Sequence, residues 1–154
     1  MRRRKFPGLF ERIFGMTLHY STLVKYLGMI LDLWLTWRKH VDVKVSKAHN
    51  LLWACRRAYG VMWGLRPRMV YWIYVSIIWS SVTFASLVWW PGCQTASAKK
   101  QLSSVQRLAC LSITRAMHTT PTSAVEELIC LPPQELVVQS EAWSAAHCLW
   151  SLGS

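Results

Sequence analysis

Lys25-Tyr26-Leu27-Gly28-Met29-Ile30-Leu31-Asp32, followed by Leu35-Thr36-Trp37-Arg38-Lys39-His40, joins a strand to the start of a helix. Apolar residues occupy both parities of the run, with Val24, Tyr26 and Ile30 on one side and Leu27, Met29 and Leu31 on the other. That arrangement predicts a strand covered on both faces. Gly28 in its middle has no side chain to pack, so it marks either a bulge or a point where another backbone or a ligand comes close. Upstream, Phe14, Met16, Leu18 and Tyr20 alternate with Thr17 and His19, and Ser21-Thr22 can turn the chain. The expected element is a hairpin of 13–20 against 23–31. Two strands alone are marginal in water, so this hairpin should lie on the helices that follow or on a sheet this chain does not contain.

Downstream, Thr36 suits the N-cap of a helix from Trp37 to about Tyr59. Val41, Val45, Ala48, Leu52, Cys55 and Tyr59 recur at steps of four and three, which makes one apolar stripe. Arg38, Lys39, Lys44, Lys47, Arg56 and Arg57 fill the remaining arc, either as a solvated face or as phosphate contacts. Gly60 and Gly64 end the helix and Pro67 suits the first turn of the next. Met69 to Trp90 carries no formal charge and has aromatics at both ends, which meets the length test for a membrane span. Ser76, Ser80, Ser81, Thr83 and Ser86 lower its hydrophobicity and argue the other way.

Pro91-Gly92 ends that element, and Thr95 or Ser97 can cap a helix reaching about Met117. Leu102, Val105, Ala109, Ile113 and Ala116 would face inward, with Lys100 and Arg107 on the far side. Thr120-Pro121, or Ser123 with Glu126, starts a short helix to about Cys130. Pro132-Pro133 opens a last one from Gln134 to about Ser151. The fold class is therefore mainly α: a short N-terminal β-hairpin over 13–35, then a bundle of about five helices. Residues 1–12 read as a basic, frayed terminus.

A chain of 154 residues is one domain's worth. Ten Trp imply either a very aromatic core or surfaces meant for something absent. All eighteen Lys and Arg fall at or before Arg115, opposed there only by Glu11, Asp32 and Asp42. After Arg115 the only charged residues are Glu126, Glu127, Glu135 and Glu141. The first portion suits polyanions, the second packing or a basic neighbour. Cys55, Cys93, Cys110, Cys130 and Cys148 are odd in number and lack metal-ligand spacing, which reads as free thiols in a reducing, intracellular setting, cytoplasmic or nuclear. His19, His40, His49, His118 and His147 show no metal spacing either. Nucleotidyl transfer by two metal ions needs converging carboxylates, commonly an Asp-Asp pair, and Asp32 and Asp42 are the only aspartates. The chain alone is expected to be no enzyme and to need no cofactor.

The run from Lys25 to His40 resembles the post-palm segment of reverse transcriptases from non-LTR retrotransposons of the jockey type. Trp63-Gly64-Leu65-Arg66-Pro67, Leu87-Val88-Trp89-Trp90-Pro91, Val105-Gln106-Arg107-Leu108-Ala109-Cys110, Thr119-Thr120-Pro121-Thr122 and Leu131-Pro132-Pro133 extend the resemblance in collinear order. The resemblance implies that 13–35 is a primer grip, 36–131 a helical thumb, and 132–154 a connector toward a missing ribonuclease H domain. It makes Met69 to Trp90 a buried thumb helix, although Trp79-Ser80 stands where the family usually has Arg-Pro, which removes a helix break. Arg115 and Met117-His118 depart from the family as well, as in a drifting copy. On this reading Lys25, Tyr26, Leu27 and Gly28 would line the primer terminus, with Gly28 letting the backbone approach. Arg38, Lys39, Lys44, Lys47, Arg56 and Arg57 would neutralise phosphates of an RNA/DNA template-primer duplex. The family's Mg has no ligand pair here, and the missing palm and ribonuclease H portions would be the protein partners. The competing classes are a single-pass membrane protein anchored by residues 69–90 and a protein-interaction module.

Overall fold

Trp37, not Thr36, stands at the N-cap of the first helix, which has no side-chain cap, and Asp32 instead braces the turn that leads into it. Its carboxylate accepts hydrogen bonds from the Thr36 amide (3.1 Å), the Thr36 hydroxyl (2.7 Å) and the Trp37 amide (3.1 Å). Trp37 takes a left-handed backbone (φ 62°), and α1 (Arg38–Arg57) begins at once. The carboxylate is the stronger acceptor, so the Thr36 hydroxyl spends its proton on it. Asp32→Ala is expected to cost about 0.5–2 kcal/mol for the lost hydrogen bonds, read as a lower urea midpoint with unchanged slope. Burial acts most strongly on this carboxyl and raises its pKa, but the hydrogen bonds from Thr36 and Trp37 together outweigh it and hold the group below its ordinary value. The contribution is thus complete above about pH 4 and lost as pH falls through the lowered folded value.

The computed structural model describes residues 12–17, 21–58 and 65–153. The basic start, Leu18 to Tyr20, and Tyr59, Gly60, Trp63 and Gly64 lie outside the described residues. β1 (Arg12–Ile13) pairs antiparallel with β2 (Met16–Thr17), and β3 (Leu23–Tyr26) with β4 (Met29–Asp32). The run that reads as one strand through Gly28 is therefore a hairpin in itself, with Leu23 opposite Asp32 and Tyr26 opposite Met29. Leu27 and Gly28 both have positive φ (46° and 80°), as a two-residue turn that matches strand twist requires. The pairing of 13–20 with 23–31 is corrected likewise, because the chain already reverses at Phe14-Gly15 (φ 50° and 80°). β3 is exposed and β4 half-buried against α1, so neither face is fully covered.

The expected stripe of α1 holds: Val41, Val45, Ala48, Leu52 and Cys55 are all buried. They pack on α5 (Ala96–Thr114), whose Leu102, Val105, Ala109 and Ile113 face back. The Thr95 hydroxyl caps α5 by accepting from the Ala98 amide (3.4 Å). Arg107, expected on the far side of α5, donates to the Thr122 hydroxyl and the His118 carbonyl and ties down α6 (Thr122–Leu128).

The uncharged segment is not one continuous helix. It runs as α2 (Pro67–Ile73), a π-helical stretch (Tyr74–Trp79) and α3 (Ser80–Thr83). It then breaks at Phe84-Ala85, where Ala85 is left-handed (φ 57°), before α4 (Ser86–Trp89) and a 3-10 turn (Trp90–Gln94). No proline causes this. The Ser80 and Thr83 hydroxyls donate back to the Ser76 and Trp79 carbonyls (2.8 and 3.1 Å), a bond type that bends helices. The Trp89 indole N–H then satisfies the Phe84 carbonyl at 2.9 Å, one of the acceptors a helix end leaves open. Among the described residues no single helix is long and apolar enough to cross a membrane, and the two halves of this segment bend by 52°.

Pro132-Pro133 does open the last helix, α7 (Gln134–Leu152). Gln106 fixes that corner: its amide donates to the Pro132 carbonyl (2.9 Å) and its carbonyl oxygen accepts from the Gln134 amide. Tyr74 completes the buried chain by donating to the Gln134 side chain. The five thiols are free, with Cys55, Cys93 and Cys110 in the core. The fold is mainly helical, with an antiparallel hairpin leading into about six helical elements.

Candidate nucleic-acid interface

His40 hooks the β3–β4 hairpin onto the bundle. Its Nδ1 accepts from the Ile30 amide of β4 at 3.1 Å, and the ring is 1% exposed. Trp37 meets it edge-on (centroids 6.3 Å apart) and Trp89 lies 5.4 Å away. An Nδ1 that accepts must carry a lone pair, so the ring is neutral with its proton on Nε2. Burial, with the Lys44 charge adding to it, lowers the imidazolium pKa to about 4.

The hook lies one strand pair from the Leu27-Gly28 turn and sets that turn against Phe84. A Cβ on Gly28 would stand 3.4 Å from Phe84 Cε1. Another neighbour of that ring is Lys44, whose Nζ lies 5.1 Å from the centroid and donates to the Ser81 carbonyl at 2.8 Å. Lys47, nearly one turn further along α1, is exposed. Lys44 is held below its usual pKa by burial first and by the Lys47 charge second. Two ammonium groups side by side, with no carboxylate paired to either among the described residues, favour an anion between or above them.

The remaining residues named from sequence fall into groups. Lys25, Tyr26 and Leu27 sit exposed on the hairpin, with Leu27 at 70%. Arg38 and Lys39 open to solvent at the start of α1. Arg56 and Arg57 lie about 27 Å away at its other end. At 100° per residue Lys39 and Arg57 share one face, Arg38 and Arg56 a second, and Lys44 and Lys47 a third. The structure thus brings Gly28, Lys44 and Lys47 together and leaves Arg56 and Arg57 apart from them. Sequence reasoning missed Phe84 and Ser81, which reach the site from a segment with no charged residue.

Carboxylates do not converge. Asp32 is spent on the turn before α1, and Asp42 accepts from the Gln101 side chain at 2.7 Å. Among the described residues no group of three or more His, Cys, Asp or Glu side chains could hold a metal. The described residues therefore do not fit the divalent ions of nucleotidyl transfer.

The chain is 27% identical over 128 residues, 83% of its length, to a 115 kDa protein in the type-1 retrotransposable element R1DM of Drosophila melanogaster. It is similar to a retrotransposon protein. The chain spans 12% of the length of that relative. No family model and no solved structure matches it. That likeness assigns no role to any single residue.

Proposed function

We propose that this chain is a post-palm piece of a retroelement reverse transcriptase, and that it holds a template-primer duplex through backbone phosphates while making and breaking no bonds itself. The observation that carries this reading is the packing of the Leu27-Gly28 turn on Phe84 beside Lys44 and Lys47. A rigid turn next to paired cations is what positioning a sugar-phosphate strand needs, and such contacts position without reading sequence. The partners on this reading are the duplex and the palm and ribonuclease H portions of a longer polypeptide, in the cytoplasm or nucleus. Exposed Val24, Tyr26, Trp34 and Leu35 on and beside the hairpin offer the palm an apolar surface.

Leu27 separates stability from binding. A left-handed Leu costs about 1–2 kcal/mol that Gly does not, and its side chain is mostly in solvent. Leu27→Gly is expected to raise the melting temperature by a few degrees, as strain stored at a functional site would. The same substitution is expected to weaken duplex binding, because it removes the side chain at the primer end.

The direct test is charge reversal. Lys25→Glu, Lys39→Glu and Lys47→Glu combined should reduce affinity for a template-primer duplex by about a hundredfold or more at low salt. All three side chains are exposed, so the fold should persist by circular dichroism. Unchanged affinity in that triple variant defeats the reading.

A further inference from the structure

A second basic surface lies at the opposite end of α1, away from the hairpin. The Leu65 amide donates to the Ala58 carbonyl at 3.3 Å, which clasps the end of α1 to the start of α2. That clasp gathers Arg56 and Arg57 from the last turn of α1 with Arg66 and Arg68 from the first turn of α2, all four exposed. No Asp or Glu occurs between Val43 and Val125, and Lys99–Glu135 is the one salt bridge among the described residues. Two exposed indoles lie on the same two helices, Trp53 at 51% exposure and Trp72 at 64%. The Arg56 guanidinium already lies over the Trp53 ring, 5.2 Å from its centroid. Arg68 and Trp72, four residues apart, share the face of α2 opposite buried Val70 and Tyr74.

We infer that this end of the bundle binds a single strand of nucleic acid, with phosphates on the four arginines and bases stacked on Trp53 and Trp72. The choice among polyanions follows from the groups present. Every cation is an arginine, which grips phosphate bidentately and stacks on planar rings, whereas a simple charged surface would be served equally by lysine. Exposed indoles suit the open base faces of a single strand, which a duplex keeps stacked inside. The inference rests on the reading of the chain as a nucleic-acid holder and adds a second site, for the unpaired strand beyond the duplex.

Anisotropy titrations of the whole chain would use a short labelled oligo(dT), a blunt duplex of equal length, and phosphatidylserine vesicles. Arg66→Gln with Arg68→Gln should weaken oligo(dT) binding about tenfold and reduce the salt slope by about 1.4, two contacts' worth. Trp72→Ala should weaken it by about fivefold to a hundredfold, the range for one stacked base. Duplex affinity should change by less than about twofold in either case, since the hairpin face is untouched. The proposal is overturned if oligo(dT) binding is unchanged in both variants, or if vesicle binding is what falls. A parent chain that binds the duplex but not oligo(dT) defeats this site alone, and one that binds neither defeats the broader reading as well.

Discussion

Taking the chain from pH 7 to pH 4 is expected to remove about 3 kcal/mol of stability through His40 alone. The folded state holds the ring neutral, with a pKa of about 4 set by burial and by Lys44. The unfolded chain binds a proton near pH 6.5. Below that value the unfolded state takes up the proton first, so stability falls from about pH 6.5 and levels off near pH 4. Protonating Nδ1 also destroys the acceptor for the Ile30 amide, so the hairpin should detach as part of the same transition. His40→Asn keeps a side-chain oxygen near Nδ1 and abolishes the titration. Urea midpoints of parent and variant, compared at each pH, isolate this residue from the carboxyls that titrate lower. A variant with the same slope between pH 6.5 and pH 4 would show that His40 is not the group responsible.

Trp89→Ala should be more damaging still, at about 3–5 kcal/mol for the lost packing. Trp89 is 0% exposed, lies against His40, and closes the Phe84 carbonyl at the break between α3 and α4. Its removal leaves that carbonyl unpaired and opens a cavity under the hairpin hook. Against a total of about 5–15 kcal/mol for a domain, this brings the chain close to unfolding at body temperature. Trp89→Phe keeps most of the volume and loses only the indole N–H, so it should cost less, about 1–3 kcal/mol. A Trp89→Ala chain that melts within about a degree of the parent would mean that the broken segment is not held this way.

The helices were legible in the sequence where two independent signals agreed. The stripe from Val41 to Cys55 and the one from Leu102 to Ile113 combine period with a cap or a breaker nearby, and both are buried as expected. The last helix follows from Pro132-Pro133, which fixes its start at Gln134. The turn at Leu27-Gly28 was not legible, because a leucine in a left-handed conformation runs against local preference, and an unbroken apolar run masks a reversal. The break at Phe84-Ala85 is hidden for a different reason: it arises from hydroxyls bonding back along the helix and from an indole five residues ahead.

At the candidate site, composition exposes which residues are cationic but not which are spoken for. Lys44 bonds a carbonyl 37 positions away, and no local pattern announces Ser81 or Phe84 as its neighbours. Arg66 and Arg68 carry no such signal in the sequence, since they directly precede an uncharged segment. Their meeting with Arg56 and Arg57 depends on the Ala58–Leu65 bond, which is a feature of the fold.

The most direct measurement is the affinity of the intact chain for a template-primer duplex as salt is raised. If Lys25, Arg38, Lys39 and Lys47 each neutralise one phosphate, log K should fall linearly with log salt at a slope of about −3.6. Binding that is absent at low salt, or that does not respond to salt, contradicts a chain built to hold nucleic acid by its backbone.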